Sequence, residues 1–360
     1  MKIVHIINSL ESGGAEKLLL DTLPLYNNKK IVTDLIVLNG SDYPFLRALR
    51  SLNCCSIHSL GLHSAYNPLY LFKIIPFLKK YDVAHVHLFP SQYWVVIAKF
   101  LSGSKIKLVY TEHSSSGKRI KSSFFRKTDP FFYWQYDRVI AISENVAKVV
   151  QQHSGLNATI EIISNGVLVD TFKNSIPAQK TAFFPNSSSA LKIVLQVASF
   201  KEPKDQKTVI RSLAHLPSEV QLVLVGEGIL KQECVTLAKE LGLEDRVLFL
   251  GIRIDVPQLL KMADIVVLSS NYEGFSLAAV EGMASGIPVI ASNVDALTTI
   301  VKGAGILFKA GDELQLAAEI EKLLANELYY QDIVRNGLER AAQYDIHFMV
   351  DKHIEMYKKL

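Results

Sequence analysis

Short apolar runs rich in β-branched residues recur along the chain, at 3–7, 31–38, 83–86, 107–110, 138–142 and 160–163, each close to a segment of helical spacing. The pattern restarts at 191–197 and continues through 221–225, 246–250, 265–268, 289–290 and 305–308. Strands that are apolar without alternation are buried on both faces, as in parallel sheets. Strand and helix in strict alternation imply doubly wound α/β units. Between the two series, residues 173–190 hold two prolines and a run of serines, the composition of a linker. Two Rossmann-like domains follow, and 360 residues with 49% hydrophobic content suffice for two cores.

No apolar run reaches the roughly 18 residues needed to cross a bilayer. The opening MKIVHIINSL reads as a first strand rather than a signal peptide. Cys54, Cys55 and Cys234 form neither a disulfide framework nor a metal spacing, which fits a reducing cytoplasm. The histidines show no ligand spacing either, and Asp-x-Asp does not occur, so no metal is expected. Net charge is +4, but residues 1–175 carry +8 and residues 176–360 carry −4. Part of the basic excess is Lys118, Arg119, Lys121, Arg126 and Lys127, with Phe124 and Phe125 among them. Such a cluster is either a solvated face or a surface for anionic lipid head groups, which places the protein in the cytoplasm or peripherally on the inner face of the membrane. Nothing points to nucleic acid.

The densest constellation lies at 263–292. The strand 265–268 ends in Ser269, Ser270, Asn271 and Tyr272, then Glu273 and Gly274, and a helix carrying Leu277, Val280, Glu281 and Ala284 runs to Gly286 and Pro288. Glu281 falls eight residues after Glu273, on the same face if both are helical. Gly274, Phe275 and Ser276 stand at the helix amino terminus, where backbone N–H groups suit a phosphate or a sugar hydroxyl. Glu273 is either a favourable first-turn charge or a ligand contact. Glu281 sits in an Ala/Gly/Met run expected to pack on the sheet, where an unpartnered carboxylate is costly.

Glu, seven residues, Glu within EGFSLAAVEGMASGIPV resembles the signature of the family 4 retaining glycosyltransferases, which have the GT-B fold of two facing Rossmann-like domains around a cleft. The resemblance implies Glu273 beside the transferred sugar, Glu281 on the nucleotide ribose, and Gly274, Phe275, Ser276 and Leu277 at sugar and diphosphate. It extends to Gly13 and Gly14 of GGAE, which would face the donor phosphates and otherwise read as a tight turn. His113 after the strand 107–110 would lie near the donor sugar, and Asn165-Gly166-Val167 would close the first domain. His87 reads as a structural, hydrogen-bonded residue. In relatives an Arg and a Lys five residues apart hold the diphosphate; Lys204 matches the Lys, Ser199 stands at the Arg position, and Lys201 is expected to supply the second charge. Gly251, Ile252 and Arg253 would meet the base through backbone. Thr298 and Thr299 depart from the usual Pro-Glu. The family architecture implies a first domain of 1–172 plus 345–360, with the last helix crossing back, and a donor domain of 191–344.

The resemblance implies a retaining transfer of a sugar from a nucleoside-diphosphate sugar, UDP- or GDP-linked and a substrate rather than a cofactor, and the lack of metal-ligand spacing adds metal independence. The acceptor would be a glycan or lipid-linked glycan in cell-surface polysaccharide synthesis. Lys204, Glu273 and His113 would be catalytic. Rival readings are a nucleotide-sugar 2-epimerase of the same fold and a non-catalytic sugar-nucleotide sensor.

Overall fold

A computed structural model of the chain describes residues 1–114, 119, 122–156, 160–185 and 190–360. They form two compact units, Met1–Gly166 with Ile346–Leu360, and Val167–Asp345. The crossover therefore lies ahead of the expected linker. Of 173–190, the described residues pack with the second unit: Ala178 N donates to Gln258 O, and Lys180 pairs with Asp264 at 2.6 Å.

The first unit carries a parallel sheet of strands β1 (Lys2–Ile7), β2 (Val32–Val37), β3 (Ile57–Ser59), β4 (Val83–His87), β5 (Lys107–Glu112), β6 (Arg138–Ala141) and β7 (Ile160–Ile162). Their order is β3-β2-β1-β4-β5-β6-β7. β4 and β5 run further than their apolar cores suggest, so His87, Thr111 and Glu112 are strand residues. Residues 70–74 form one short helix, Tyr70–Ile74, followed by turns. The last helix, Ile346–Lys358, buries Met349, Val350, His353 and Tyr357 in this unit, as the expected return of the chain requires.

The second unit holds β8 (Lys192–Val197), β9 (Val220–Val225), β10 (Val247–Gly251), β11 (Ile265–Leu268), β12 (Val289–Ser292) and β13 (Ile306–Phe308), in parallel order β10-β9-β8-β11-β12-β13. Period-2 geometry sends Ile193, Leu195, Val266 and Leu268 into one core, and Val194, Ile265, Val267 and Ile290 into the other. Both faces are dry, which is why these strands read as continuous apolar runs. The helix Leu277–Ala284 lies close on the sheet at Gly282, where a Cβ would stand 3.0 Å from Val289 and 3.2 Å from Val266. Gly286 (φ 70°) ends it in the left-handed region.

Candidate functional site

In both sheets the winding reverses beside the first strand, between β1 and β4 and between β8 and β11. Crevices at the carboxyl edge of such a reversal are where open α/β sheets collect ligands. Lys204 and Glu273 follow β8 and β11, the two strands that flank this point.

The chain after β8 makes a short turn, Glu202–Lys204, and Asp205 takes a left-handed conformation (φ 43°) before the helix Gln206–Leu213. Gln196 donates to Lys204 O at 3.2 Å and to Ser269 Oγ at 3.0 Å, while Ser269 Oγ is 2.8 Å from Asp205 O. Asn271 N donates to Pro203 O at 2.7 Å. The loops after β8 and β11 are thus stitched into one piece by buried polar groups that each require a partner. On it, Lys204 Nζ pairs with Glu273 Oε1, which also accepts from Ser270 Oγ at 2.8 Å. The Glu273 side chain is 9% exposed and that of Lys204 26%.

Glu273 is not helical. Three residues separate it from the helix start at Leu277, so the shared helical face expected for Glu273 and Glu281 is not formed. Glu281 is buried in the second turn and is engaged within the protein, so its burial does not require a ligand. Ser276 caps the helix, its Oγ accepting from Ala279 N at 3.4 Å. Phe275 packs edge-on to Tyr344 at 5.5 Å, and Leu277 packs against the core.

Ser199 is bound through its carbonyl by Gln206 Nε2 at 3.0 Å. Lys201 is exposed, and among the described residues no ion pair is recorded for its amine. Gly226 (φ 139°) presses on the same stretch, since a Cβ there would come 2.1 Å from Ala198 O. Its N–H donates to Gly251 O at 2.8 Å. The ends of β8, β9 and β10 therefore meet backbone to backbone, bringing Ser199 and Gly251 into one surface. Arg253 turns aside: it pairs with Asp255 through two bonds of 2.7 and 2.5 Å, which raise the guanidinium pKa above its usual value.

In the first unit Gly13 and Gly14 are exposed at the start of the helix Gly14–Asn28, with the Glu16 carboxylate folded over Gly13. His113, just past β5, accepts or donates at Nε2 to His87 Nδ1 over 3.1 Å. Burial, partly offset by the Glu112 charge, lowers the His113 pKa to about 4. His87 is hydrogen-bonded and buried, as read from the sequence, but it also touches His5, Nε2 to Nδ1, at 3.1 Å. Nitrogens of His5, His85 and His87 lie within 4.8 Å of one another. Linear spacing does not join His5 of β1 to the His85-x-His87 pair of β4; only the register of the two strands does.

The basic stretch is divided. Lys118 and Lys121 lie outside the described residues. Arg119 is no surface charge: it donates to Glu112 at 2.7 Å and Gln92 at 2.5 Å and lies 3.4 Å from Asp129, which in turn meets His153 at 2.6 Å. Burial opposes its charge, but Glu112 foremost among its neighbours raises its pKa above the usual value. Phe125 packs edge-on against Phe89 at 5.2 Å. Phe124, Arg126 and Lys127 remain exposed on the helix Ser123–Tyr133. Sequence spacing also missed Phe131 and Trp134, which continue the face of Phe124 and are 56% and 64% exposed. Phe100 stacks on Phe131 at 6.1 Å.

Comparison with known proteins bears on both units. Residues 12–171 match the family described as Glycosyltransferase Family 4, and residues 178–340 that described as Glycosyl transferases group 1. The chain is 30% identical to the N-acetyl-alpha-D-glucosaminyl L-malate synthase of Bacillus anthracis, covering 78% of this chain and 74% of that one. It is 28% identical to the N-acetylgalactosamine-N,N'-diacetylbacillosaminyl-diphospho-undecaprenol 4-alpha-N-acetylgalactosaminyltransferase of Campylobacter jejuni, over 89% of this chain and 86% of that one. Among solved structures, Anabaena HepE in complex with UDP and glucose superposes with a TM-score of 0.88 at 24% identity, covering 100% of both chains. The chain is accordingly a family 4 glycosyltransferase with the GT-B fold of two Rossmann-like units.

Proposed function

We propose that the protein transfers a sugar from a nucleoside-diphosphate sugar to a lipid-linked glycan acceptor, with retention of configuration and without a metal. The observation that carries this reading is the Lys204–Glu273 pair at the strand reversal of the second unit. Fixed ammonium groups and backbone N–H groups can receive the negative charge of a departing diphosphate. Lys204 would do so, assisted by Lys201 and the amino terminus of the helix Leu277–Ala284, and Glu273 would hold the sugar against them. Glu281 would take the ribose, and the backbone of Gly251, Ile252 and Arg253 the base. In the first unit, Gly13, Gly14 and His113 would serve the donor. Same-face attack, with the leaving diphosphate accepting the acceptor proton, supplies retention without a second carboxylate. The relatives support the substrate class: HepE was solved with UDP, and the Campylobacter enzyme's name places its acceptor on diphospho-undecaprenol.

A thermal-shift screen of UDP, GDP, ADP and their sugars tests the donor assignment. A ligand present at 100 times its Kd stabilises the fold by about 2.7 kcal/mol, which appears as a clear rise in Tm. No rise with any of them would remove the proposed donor class. Unchanged transfer in excess chelator is expected, and abolition would remove metal independence.

The exposed face of Phe124, Phe131 and Trp134, flanked by Arg126 and Lys127, supports a cytoplasmic enzyme resting on an anionic membrane. Each basic residue near such a surface contributes about 1 kcal/mol. Replacing Arg126 and Lys127 by serine should therefore weaken sedimentation with phosphatidylglycerol vesicles roughly 30-fold. Absence of salt-sensitive binding by the unaltered protein would exclude the membrane role.

A further inference from the structure

β1 and β4 pair with His5 opposite His85, and β4 and β5 pair with His87 opposite Thr111. The period of 2 thus gathers His5, His85, His87 and Thr111 on one sheet face. Tyr26, and His353 and Tyr357 of the last helix, cover it. On this face His85 forms its own branch, Nδ1 to Tyr357 OH at 2.5 Å and Nε2 to Thr111 Oγ1 at 2.6 Å. His353 Nδ1 is bound to Tyr26 OH at 2.6 Å. The remaining three imidazoles form a line. His5 Nδ1 meets His87 Nε2 at 3.1 Å, and His87 Nδ1 meets His113 Nε2 at 3.1 Å. At the inner end, His5 Nε2 is buried and has no hydrogen-bond partner among the described residues.

Three neutral imidazoles carry one N–H each, and two hydrogen bonds in a row allow only two tautomer patterns. In one, His113 donates from Nε2 to His87, His87 donates to His5, and the His5 proton must sit on Nε2. That pattern strands a buried N–H without an acceptor, a rare arrangement in folded proteins. In the other, His5 donates from Nδ1 to His87 Nε2, and His87 donates from Nδ1 to His113 Nε2. The His113 proton must then be on Nδ1, and the inner end is only a bare lone pair. The line cannot conduct a proton inward, because among the described residues no hydrogen-bond partner meets His5 Nε2 to supply one. We propose that His5 and His87 are positioning residues that hold His113 as its Nδ1–H tautomer, a hydrogen-bond donor at the carboxyl edge of β5 rather than a general base.

Neutrality follows from the surroundings. Burial lowers His5 to about 3 and His113 to about 4 and takes His85 and His87 well below the ordinary value. Facing groups on the packed elements are Tyr26, His353 and Tyr357, which are uncharged at neutral pH. The carboxylate that acts on His113, Glu112, is bound by Arg119 at 2.7 Å. What His113 donates to rests on the glycosyltransferase reading, where a sugar hydroxyl oxygen is the natural acceptor; the tautomer itself does not.

Long-range proton–nitrogen correlation on protein labelled with 15N-histidine reads the tautomer directly. The His113 signal is assigned by its loss in His113→Gln. The Nδ1–H pattern is expected for the unaltered protein at pH 7.5. In His87→Leu, His113 should revert mainly to Nε2–H, and turnover with the donor should fall about tenfold with KM changed less than threefold. His87→Gln should restore both, because its amide oxygen accepts from His5 while its NH2 donates to His113. If His87→Leu does not fold, the unaltered protein and His87→Gln decide the matter. An Nε2–H pattern in the unaltered protein, an unchanged Nδ1–H pattern in folded His87→Leu, or one equivalent of transition metal on the purified protein would each overturn the proposal. The expected tautomers without any sugar transfer would leave the positioning role intact and fault the proposed function instead.

Discussion

Lys204→Ala is expected to lower kcat by about 10²- to 10³-fold, the usual loss when one preorganised donor to developing negative charge is removed. The effect should fall on turnover more than on KM, because full charge on the diphosphate exists only as the glycosyl bond breaks. Glu281→Ala should do the reverse, raising KM for the donor with a smaller change in kcat. Lys204 is also the partner of Glu273, whose side chain is 9% exposed. Its removal leaves a largely buried carboxylate with one fewer donor, so each variant needs a melting curve beside the kinetics. If Lys204→Ala is folded and transfers sugar at the normal rate, the charge-neutralising role is wrong.

The second large effect is acid lability. His5 and His353 are almost fully buried, and burial lowers both to about 3. A histidine held neutral in the folded state but free to protonate when unfolded stabilises the fold fully above the unfolded pKa of about 6.5. That contribution is lost as pH falls from there toward the folded pKa. Between pH 7.5 and pH 5 these two residues alone should remove roughly 4 kcal/mol, and His85 and His87, lowered in the same direction, add to it. Against the 5–15 kcal/mol of an ordinary domain this is a large share. Urea titrations at pH 7.5, 6 and 5 should show the loss beginning below about pH 6.5. A flat profile down to pH 5 would mean that the imidazoles are not held neutral.

The apolar strands were legible because burial on both faces leaves little else a run such as Ile265–Leu268 can be, and the structure forms that strand over the same residues. Ser143 and Asp312 cap their helices, accepting from Val146 N and Gln315 N. The relation of Glu273 to Glu281 was misjudged for a physical reason. A face shared by the two carboxylates needs helix all the way from one to the other, whereas the chain stays non-helical until Ser276 can cap the first turn. The imidazole line was hidden for another. Its partners are 82 and 26 residues apart, and only strand register makes them neighbours. A His-x-His in a strand otherwise wholly apolar was the available signal, since two polar rings on one buried face must find partners. Arg119 shows the limit of charge counting, because a basic run does not reveal which member turns inward to Glu112.

The first unit is interrupted: the chain leaves it at Gly166 and re-enters at Ile346, where a Cβ on Gly166 would lie 2.4 Å from the Ile346 Cα. On the ribosome, the sheet bearing His5, His85 and His87 is therefore made long before Tyr357 and His353 emerge to cover it. Until synthesis ends, that half-finished layer faces water with its imidazoles free to protonate. A chain lacking residues 346–360 would keep every residue of the second unit and leave this layer of the first without His353 and Tyr357.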